Sequence, residues 1–598
     1  MQKKNLLVIA AVVLVACTPA ATTPTVGRPA PTNRAGWADS VLSSLTLREK
    51  VAQMVWPTVL GDYTAGDSPQ WQRLTDNIRK EKVGGFTISV GSPTELAAKL
   101  NAMQAMSSVP LIFGADLEAG AGFRARGGYF IPNAIDLGGA VVFPPEMAIG
   151  ATGDASLAYE QGRLTAVEGR ALGIHIAYAP VLDVNNNPSN PVINTRSYGE
   201  DPTMAAKLGA AFIRGLQEHG MMATGKHFPG HGDTGTNSHL ALPVVTVSRS
   251  RLDSVELVPF REAIRSGVGA IMTFHGAMPA LDASGVPGTL SGKVLTDLLR
   301  TELGFKGIII SDAMDMAGVL NQYGSAEAVK RAVAAGVDIL IQPLEVTQTI
   351  NAVVAGVAEG RYTEARLNES VRRILEAKQS LGLERRKLVN LDSLRFLVGD
   401  SSHLAVARQI GEKSITLVKD SLGQLPLVVS ASPRVLSVTV GRRSDLAAGV
   451  AFNGELRGGI RNLRAEFLAA EDPAADYGRL ERLADSADVT IVSSYVGQNW
   501  EAVSASAPQA FASFVQRLTM KGKRPVVVSF GNPYLLQQIP SVAAYVVAWG
   551  GFPPSQVAAA RALLGRQEVT GRLPISIPLE AARTVPRGTG IRKAAGQR

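Results

Sequence analysis

The stretch Gly304-Phe305-Lys306-Gly307-Ile308-Ile309-Ile310-Ser311-Asp312 decides the fold. A short apolar run entered through glycine and closed by a polar residue reads as a strand buried on both faces. Working outward from it, seven further runs have the same character, at 54–60, 85–90, 110–116, 175–184, 223–227, 270–275 and 337–342. Between them lie segments with helical periodicity, at 155–172, 204–219, 255–266 and 325–335, and a further helix over 366–378 ends the series. Eight parallel strands alternating with helices predict an α/β protein whose N-terminal part is a (β/α)8 barrel. Asp116, Asp183, Lys226 with His227, His275 and Asp312 fall at the carboxyl ends of the runs, the face on which barrel enzymes build their sites.

The 598 residues exceed what one core fills, so a second domain is expected. It is predicted as a smaller α/β sandwich over 401–580, with strands at 415–418, 434–440, 489–495, 525–530 and 543–548 and helices at 476–485 and 508–520. The barrel is assigned to 37–385, a charged linker to 386–400, and a fraying tail to 581–598. Hydrophobic residues make up 46% and charged residues 19%, a globular composition. The formal charge of +9 is modest for this length, and no basic run interleaved with aromatics points to nucleic acid. Cys17 is the one cysteine, which excludes an intrachain disulfide. It follows Lys3, Lys4 and an apolar run over 6–16 that is too short to span a bilayer, and Leu14-Val15-Ala16-Cys17 resembles a bacterial lipobox. Residues 1–17 are therefore expected to be a lipoprotein signal and 18–36, rich in Thr, Pro and Ala, a flexible tether. The expected product is exported and lipid-anchored at Cys17 to a bacterial membrane, facing the periplasm or the exterior.

The segment Lys226-His227-Phe228-Pro229-Gly230-His231-Gly232-Asp233-Thr234-Gly235-Thr236-Asn237-Ser238-His239 carries three of the seven histidines. One reading is a zinc hydrolase using His227, His231 and His239, because histidine is the commonest metal ligand. The other is a sugar site, with Lys226 and His227 holding hydroxyls and a Gly-rich loop bringing His239 in to transfer a proton. Pro and Gly prevent a helix from aligning the histidines at fixed spacing, which weighs against the metal.

Five motifs in order resemble glycoside hydrolase family 3, in its β-N-acetylglucosaminidase branch. They are Ser44-Leu45-Thr46-Leu47-Arg48-Glu49-Lys50-Val51-Ala52-Gln53-Met54, Ala179-Pro180-Val181-Leu182-Asp183-Val184-Asn185, Arg196-Ser197-Tyr198-Gly199-Glu200-Asp201-Pro202, the Lys-His-Phe-Pro-Gly-His-Gly segment, and 304–316 around Asp312. The resemblance implies a retaining exo-β-N-acetylglucosaminidase acting on peptidoglycan fragments or chitin-type oligosaccharides. Asp312 would be the nucleophile, with Asp315 its displaced competitor, and His239 the acid/base. Asp116, Arg124, Arg196, Lys226 and His227 would bind substrate, with Arg126 a substitute for Arg124 because Leu117–Phe123 departs from the commoner pattern. The family pairs the loop histidine with an Asp two residues earlier, where this chain has Asn237, leaving Asp233 to compensate. A β-glucosidase with Glu501 as acid/base, or a sugar-binding protein weakened by Asn237, are the rival readings. A carbohydrate substrate, a lipid anchor, no nucleic acid, no cofactor or metal, and a monomer are the expected partnerships.

Overall fold

The computed structural model describes residues 35–596 apart from 127, 130–134, 137, 429–431, 473, 498–505 and 581. Cys17 and Glu501, with the signal and most of the tether, lie outside the described residues.

Eight parallel strands curl into the expected barrel. They are β1 (Val55–Trp56 continuing as Thr58–Val59), β2 (Gly85–Ile88), β3 (Ile112–Ala115), β4 (Ile176–Ala177), β5 (Met222–Phe228), β6 (Ala270–Thr273), β7 (Ile308–Ile310) and β8 (Leu340–Ile341). Neighbours pair in register from β1 to β7, an Ile310–Ile339 bridge adds β8, and Val55–Leu340 with Trp56–Ile341 closes the ring. Ile308, Ile309 and Ile310 are all buried, which is why the run reads apolar throughout rather than alternating.

The family motifs have local physical reasons. In the first, Thr46 and Glu49 form a reciprocal capping box that starts the helix Leu47–Gln53. In the third, Asp201 accepts the amides of Thr203 and Met204 at 2.8 and 3.2 Å and Pro202 takes the first helical position, launching Pro202–Glu218. The helix containing 325–335 begins earlier than expected, at Ala317, and is broken at Gly324, whose φ of 68° is why the periodicity fails there.

The second sheet has six strands: β9 (Thr416–Asp420), β10 (Arg434–Gly441), β11 (Asn462–Ala469), β12 (Val489–Ser494), β13 (Val526–Ser529) and β14 (Ala544–Val547), in the order β9-β14-β13-β12-β10-β11. Only β9 runs antiparallel to its neighbour. The sequence missed β11, an edge strand whose residues are mostly accessible and which carries Arg464 and Glu466 instead of an apolar run. The tail also departs from expectation. Thr584–Val585 pairs with Ile577–Pro578, the amide of Ile591 reaches the Leu417 carbonyl at 2.8 Å, and Lys593 pairs with Asp420 at 2.9 Å. These contacts tie Thr584–Val585 to Ile577–Pro578, and Ile591 and Lys593 to the second sheet, where an untethered tail was expected.

One apolar cluster crosses from barrel to second domain, joining Phe143, Met147 and Tyr198 to Val492, Trp549 and Leu573. Polar contacts run beside it: Asn185 Nδ2 donates to Tyr534 Oη at 2.8 Å, Asn194 Nδ2 to Asn532 Oδ1 at 3.2 Å, and Ser576 donates twice to Glu200 at 2.7 Å. The loop after β4 is thus held by both domains.

Candidate active site

The carboxyl ends of β3, β4 and β5 carry a buried charge network. Lys226, only 1% exposed, places Nζ 2.7 Å from Asp116 Oδ1 and 2.6 Å from Glu118 Oε1. Arg124 reaches Asp116 at 2.5 Å, and Arg196 forks onto Glu118 with Nε and Nη2 at 2.9 and 2.6 Å. Burial pushes the Glu118 carboxyl up, but Arg196 and Lys226 outweigh it and hold the group at about 2. The same contest, won by Lys226 and Arg124, keeps Asp116 well below the usual carboxylate range. Two carboxylates and three cations packed this closely form a rigid set of donors and acceptors suited to several sugar hydroxyls.

Asp183, fully buried in the segment after β4, organises the other side. Its carboxylate accepts His227 Nδ1 at 2.7 Å, the His227 amide at 3.2 Å and the His231 amide at 2.6 Å. Facing a carboxylate, Nδ1 must carry the proton, which leaves Nε2 of His227 as the group with a free role. Burial raises the Asp183 carboxyl, and the field and hydrogen bond of His227 together with the contacts from His231 more than reverse this.

The loop after β5 is locked in place over 227–235. Asn190 Nδ2 donates to the His231 and Gly232 carbonyls at 2.8 and 2.9 Å, while its Oδ1 accepts the Val192 and Ile193 amides. His231 uses both ring nitrogens on hydroxyls, Thr234 Oγ1 at 3.0 Å and Ser238 Oγ at 2.9 Å. Those bonds commit it to loop structure and remove the basis for the three-histidine zinc reading. The loop then runs past β7, where the Ser238 carbonyl lies 3.0 Å from the position a Cβ would take at Gly318.

Asp312 follows β7. Its amide donates to Thr273 Oγ1 at 3.2 Å and its Oδ1 accepts the Ala313 amide at 2.8 Å. His275 places Nε2 2.9 Å from the Ala313 carbonyl, so Nε2 is protonated and Nδ1 accepts from Thr289 Oγ1 at 2.7 Å. Thr273 and Thr289 share a 2.7 Å bond, which completes a relay fixing the backbone on both sides of Asp312. Burial raises the Asp312 carboxyl, but His275, His227 and His239 around it lower it further than burial lifts it. Among the described residues, no Lys or Arg is paired with it.

His239 is half-buried. Burial depresses its imidazole below 6.5, and the nearby Asp312 charge offsets that only in part. The Asn237 side-chain oxygen accepts the main-chain amide of His239 at 2.9 Å, an Asx turn that sets the path of the loop. No hydrogen bond or ion pair among the described residues links Asp233 to His239.

Residues 46–377 match the glycosyl hydrolase family 3 N-terminal domain and residues 415–594 the family's C-terminal domain. The chain belongs to glycosyl hydrolase family 3. It is 30% identical to a "Beta-N-acetylglucosaminidase/beta-glucosidase" of Cellulomonas fimi, over 90% of this chain and 95% of that one. It is 29% identical to "Beta-hexosaminidase A" of Pseudoalteromonas piscicida, over 86% and 93%. A solved family 3 β-N-acetylglucosaminidase from Paenibacillus sp. str. FPU-7 is similar in structure, with a TM-score of 0.78 and 32% identity across 89% of this chain and 99% of that one. The protein is a two-domain family 3 glycosidase, an enzyme acting on β-linked sugars.

Within this family 3 enzyme, Asp116, Arg124, Arg196 and Lys226 form one cluster, and His227, His239 and Asp312 share a second electrostatic neighbourhood. Arg126 does not substitute for Arg124. Its guanidinium lies over the Phe552 ring of the second domain, 5.7 Å from the centroid. Asp315 is exposed, away from the Asp312 backbone relay. The sequence reading gave no role to Glu118, which lies in the turn after β3 and meets Lys226 and Arg196 only in three dimensions. Thr273, Thr289 and Asn190 likewise left no signal, since each acts on partners distant in sequence or through backbone atoms.

Proposed function

We propose that this family 3 glycosidase is a retaining exo-β-N-acetylglucosaminidase in which Asp312 is the nucleophile and His239 the acid/base. The observation that carries this reading is the pairing pattern of the carboxylates. Asp116 and Glu118 are held by cations and Asp183 by His227, whereas Asp312 is ionised, rigidly mounted and, among the described residues, without a Lys or Arg of its own. Such a carboxylate can attack an anomeric carbon as oxocarbenium character develops. In the first step the Asp312–C1 bond forms, the glycosidic C1–O bond breaks, and imidazolium His239 gives its proton to the departing oxygen. In the second, neutral His239 takes a proton from water, the water oxygen bonds to C1, and Asp312 leaves. Asp116, Lys226, Arg196 and His227 hold the non-reducing hydroxyls.

The N-acetylglucosamine preference is supported by the His239 loop and by the names of the relatives. Because one relative's name joins acetylglucosaminidase with glucosidase, the test pairs both sugars. Aryl β-N-acetylglucosaminide and aryl β-glucoside are given to wild type and Asp312→Asn. The expected result is faster release from the N-acetyl substrate, lost in the variant with the melting temperature retained. Wild-type turnover in Asp312→Asn would remove the nucleophile assignment. Peptidoglycan fragments or chitin-type oligosaccharides are the proposed natural substrates, and lipidation at Cys17, supported by its lipobox-like context, would place the enzyme on a membrane surface.

A further inference from the structure

The turn that carries His239 is held together internally. The Asn237 carbonyl accepts the Leu240 and Ala241 amides at 3.0 and 3.1 Å, and the Asn237 side chain accepts the His239 amide at 2.9 Å. Residues 237–241 therefore shift as one piece, and any displacement of their backbone carries the imidazole with it. The height of this piece over the barrel is set by a separate contact. The carbonyl oxygens of Ser238, just before His239, and of Ala241, two residues after it, face Gly318 in the first turn of the helix Ala317–Ala335. They lie 3.0 and 3.3 Å from the point where a Cβ would stand, and the His275 carbonyl lies 3.6 Å from the same point. Gly318 is thus enclosed between the His239 turn and the segment after β6, whose His275 ring fixes the backbone beside Asp312.

Backbone freedom does not explain a glycine here. Gly318 is buried and helical, and glycine is a poor helix former. Space does explain it. A methyl group at this point would stand closer to two carbonyl oxygens than carbon and oxygen ordinarily pack. The helix cannot retreat to make room, because Val319 is fully buried and the Val319 and Leu320 amides are both bonded to the Met316 carbonyl, at 3.2 and 3.1 Å. The turn must lift instead, by a few tenths of an ångström.

We propose that Gly318 is a positioning residue for proton transfer: its missing side chain lets the turn 237–241 seat beside the Asp312 segment and so sets the reach of His239 to the leaving oxygen. The inference rests on the assignment of His239 as acid/base proposed above. A proton donor works within about 2.6–3.2 Å of its acceptor. Since a misplacement of about 1 Å costs about 10²-fold, a lift of a few tenths costs about three- to tenfold, and only where the departing group needs the proton.

The test uses two aryl β-N-acetylglucosaminides, one releasing a dinitrophenolate, which departs unprotonated, and one releasing a methoxyphenol, which needs the proton. The ratio of kcat/KM for the methoxyphenyl to the dinitrophenyl substrate reports the step in which the aryl group leaves. It is measured in wild type, Gly318→Ala, His239→Gln and the double variant. Both values come from one preparation, so the ratio is independent of how much of it is folded. Gly318→Ala should lower the ratio about three- to tenfold with kcat/KM for the dinitrophenyl substrate within about twofold of wild type, and should lower it no further once His239 is replaced. Ala317→Gly weakens the same helical turn without adding an atom and should leave the ratio unchanged. Equal losses on both substrates, an unmoved ratio in Gly318→Ala, additive losses in the double variant, or the same fall in Ala317→Gly overturns this inference alone. A ratio unmoved by His239→Gln, or a folded wild type that cleaves neither substrate, overturns the proposed reaction and this inference with it.

Discussion

Replacing Asp183 by Asn tests whether His227 works through its tautomer. The 2.7 Å contact from Asp183 Oδ2 to His227 Nδ1 is fully buried and charge-assisted. The same carboxylate also accepts two amides, with His231 N at 2.6 Å on the other oxygen. An Asn side chain can keep its oxygen on the His231 amide only by turning its NH2 toward His227. Nδ1 must then accept, and the ring proton moves to Nε2, so the nitrogen left for the sugar changes from acceptor to donor. A hydrogen bond involving a charged or polarised partner is worth about 1.5–3 kcal/mol. At 1.36 kcal/mol per decade, kcat/KM should fall roughly 10- to 150-fold. The loss is expected to stay below the ~10⁴ that Asp→Asn costs behind the catalytic histidine of serine proteases, where that histidine itself moves the proton. Steady-state kinetics give the rate, ¹⁵N shifts of the His227 ring report the tautomer, and thermal melting checks the fold. If the protonated nitrogen moves while kcat/KM stays within threefold of wild type, the argument that His227 binds substrate through Nε2 is wrong.

Two other perturbations probe the loop. Burial holds His239 below 6.5, so its imidazolium, needed in the first step, is lost as pH rises through that depressed value, while Asp312 sets the acid limb below 3.8. Asn237→Asp adds a negative charge beside the ring and should move the alkaline limb of kcat/KM upward by about one pH unit; an unmoved limb means the added carboxylate does not reach the imidazole. Gly232→Ala would place a Cβ 1.8 Å from the Val184 carbonyl oxygen. The loop must then lift from the Val184 backbone, and kcat/KM should fall at least tenfold with a lower melting temperature, whereas unchanged kinetics would show that the loop's seat on Val184 is irrelevant to the site.

What the sequence disclosed follows from how each residue acts. Most of the eight strands were legible because they are buried on both faces, as Ile308–Ile310 and Gly85–Ile88 are, and burial of that kind leaves an apolar run. The edge strand Asn462–Ala469 was not legible, since its accessible positions are filled by polar residues. Among site residues, Asp116, Lys226, His227 and Asp312 stood out because a charge at the end of an apolar run has no packing reason to be there. Thr273 and Thr289 did not. Threonines in or beside a strand are ordinary, and their role comes from a relay joining residues 273, 275, 289 and 312 that exists only in three dimensions.

The second domain shapes the site indirectly. Asn190 ties the loop after β4 to the His231–Gly232 backbone, and four residues later Asn194, held at a φ of 42°, donates to Asn532 of the second domain. Arg196, two residues further on, makes the fork onto Glu118, which in turn shares Lys226 with Asp116. Tyr534 grips Asn185, two residues from Asp183. Every member of the charged cluster on β3–β5 is therefore connected, through buried polar bonds, to a loop that the second domain clamps. A left-handed φ at a non-glycine residue costs free energy and persists only where the surroundings enforce it. At Asn194 one of those surroundings is Asn532, across the domain boundary, so the loop that carries Arg196 is shaped by both domains.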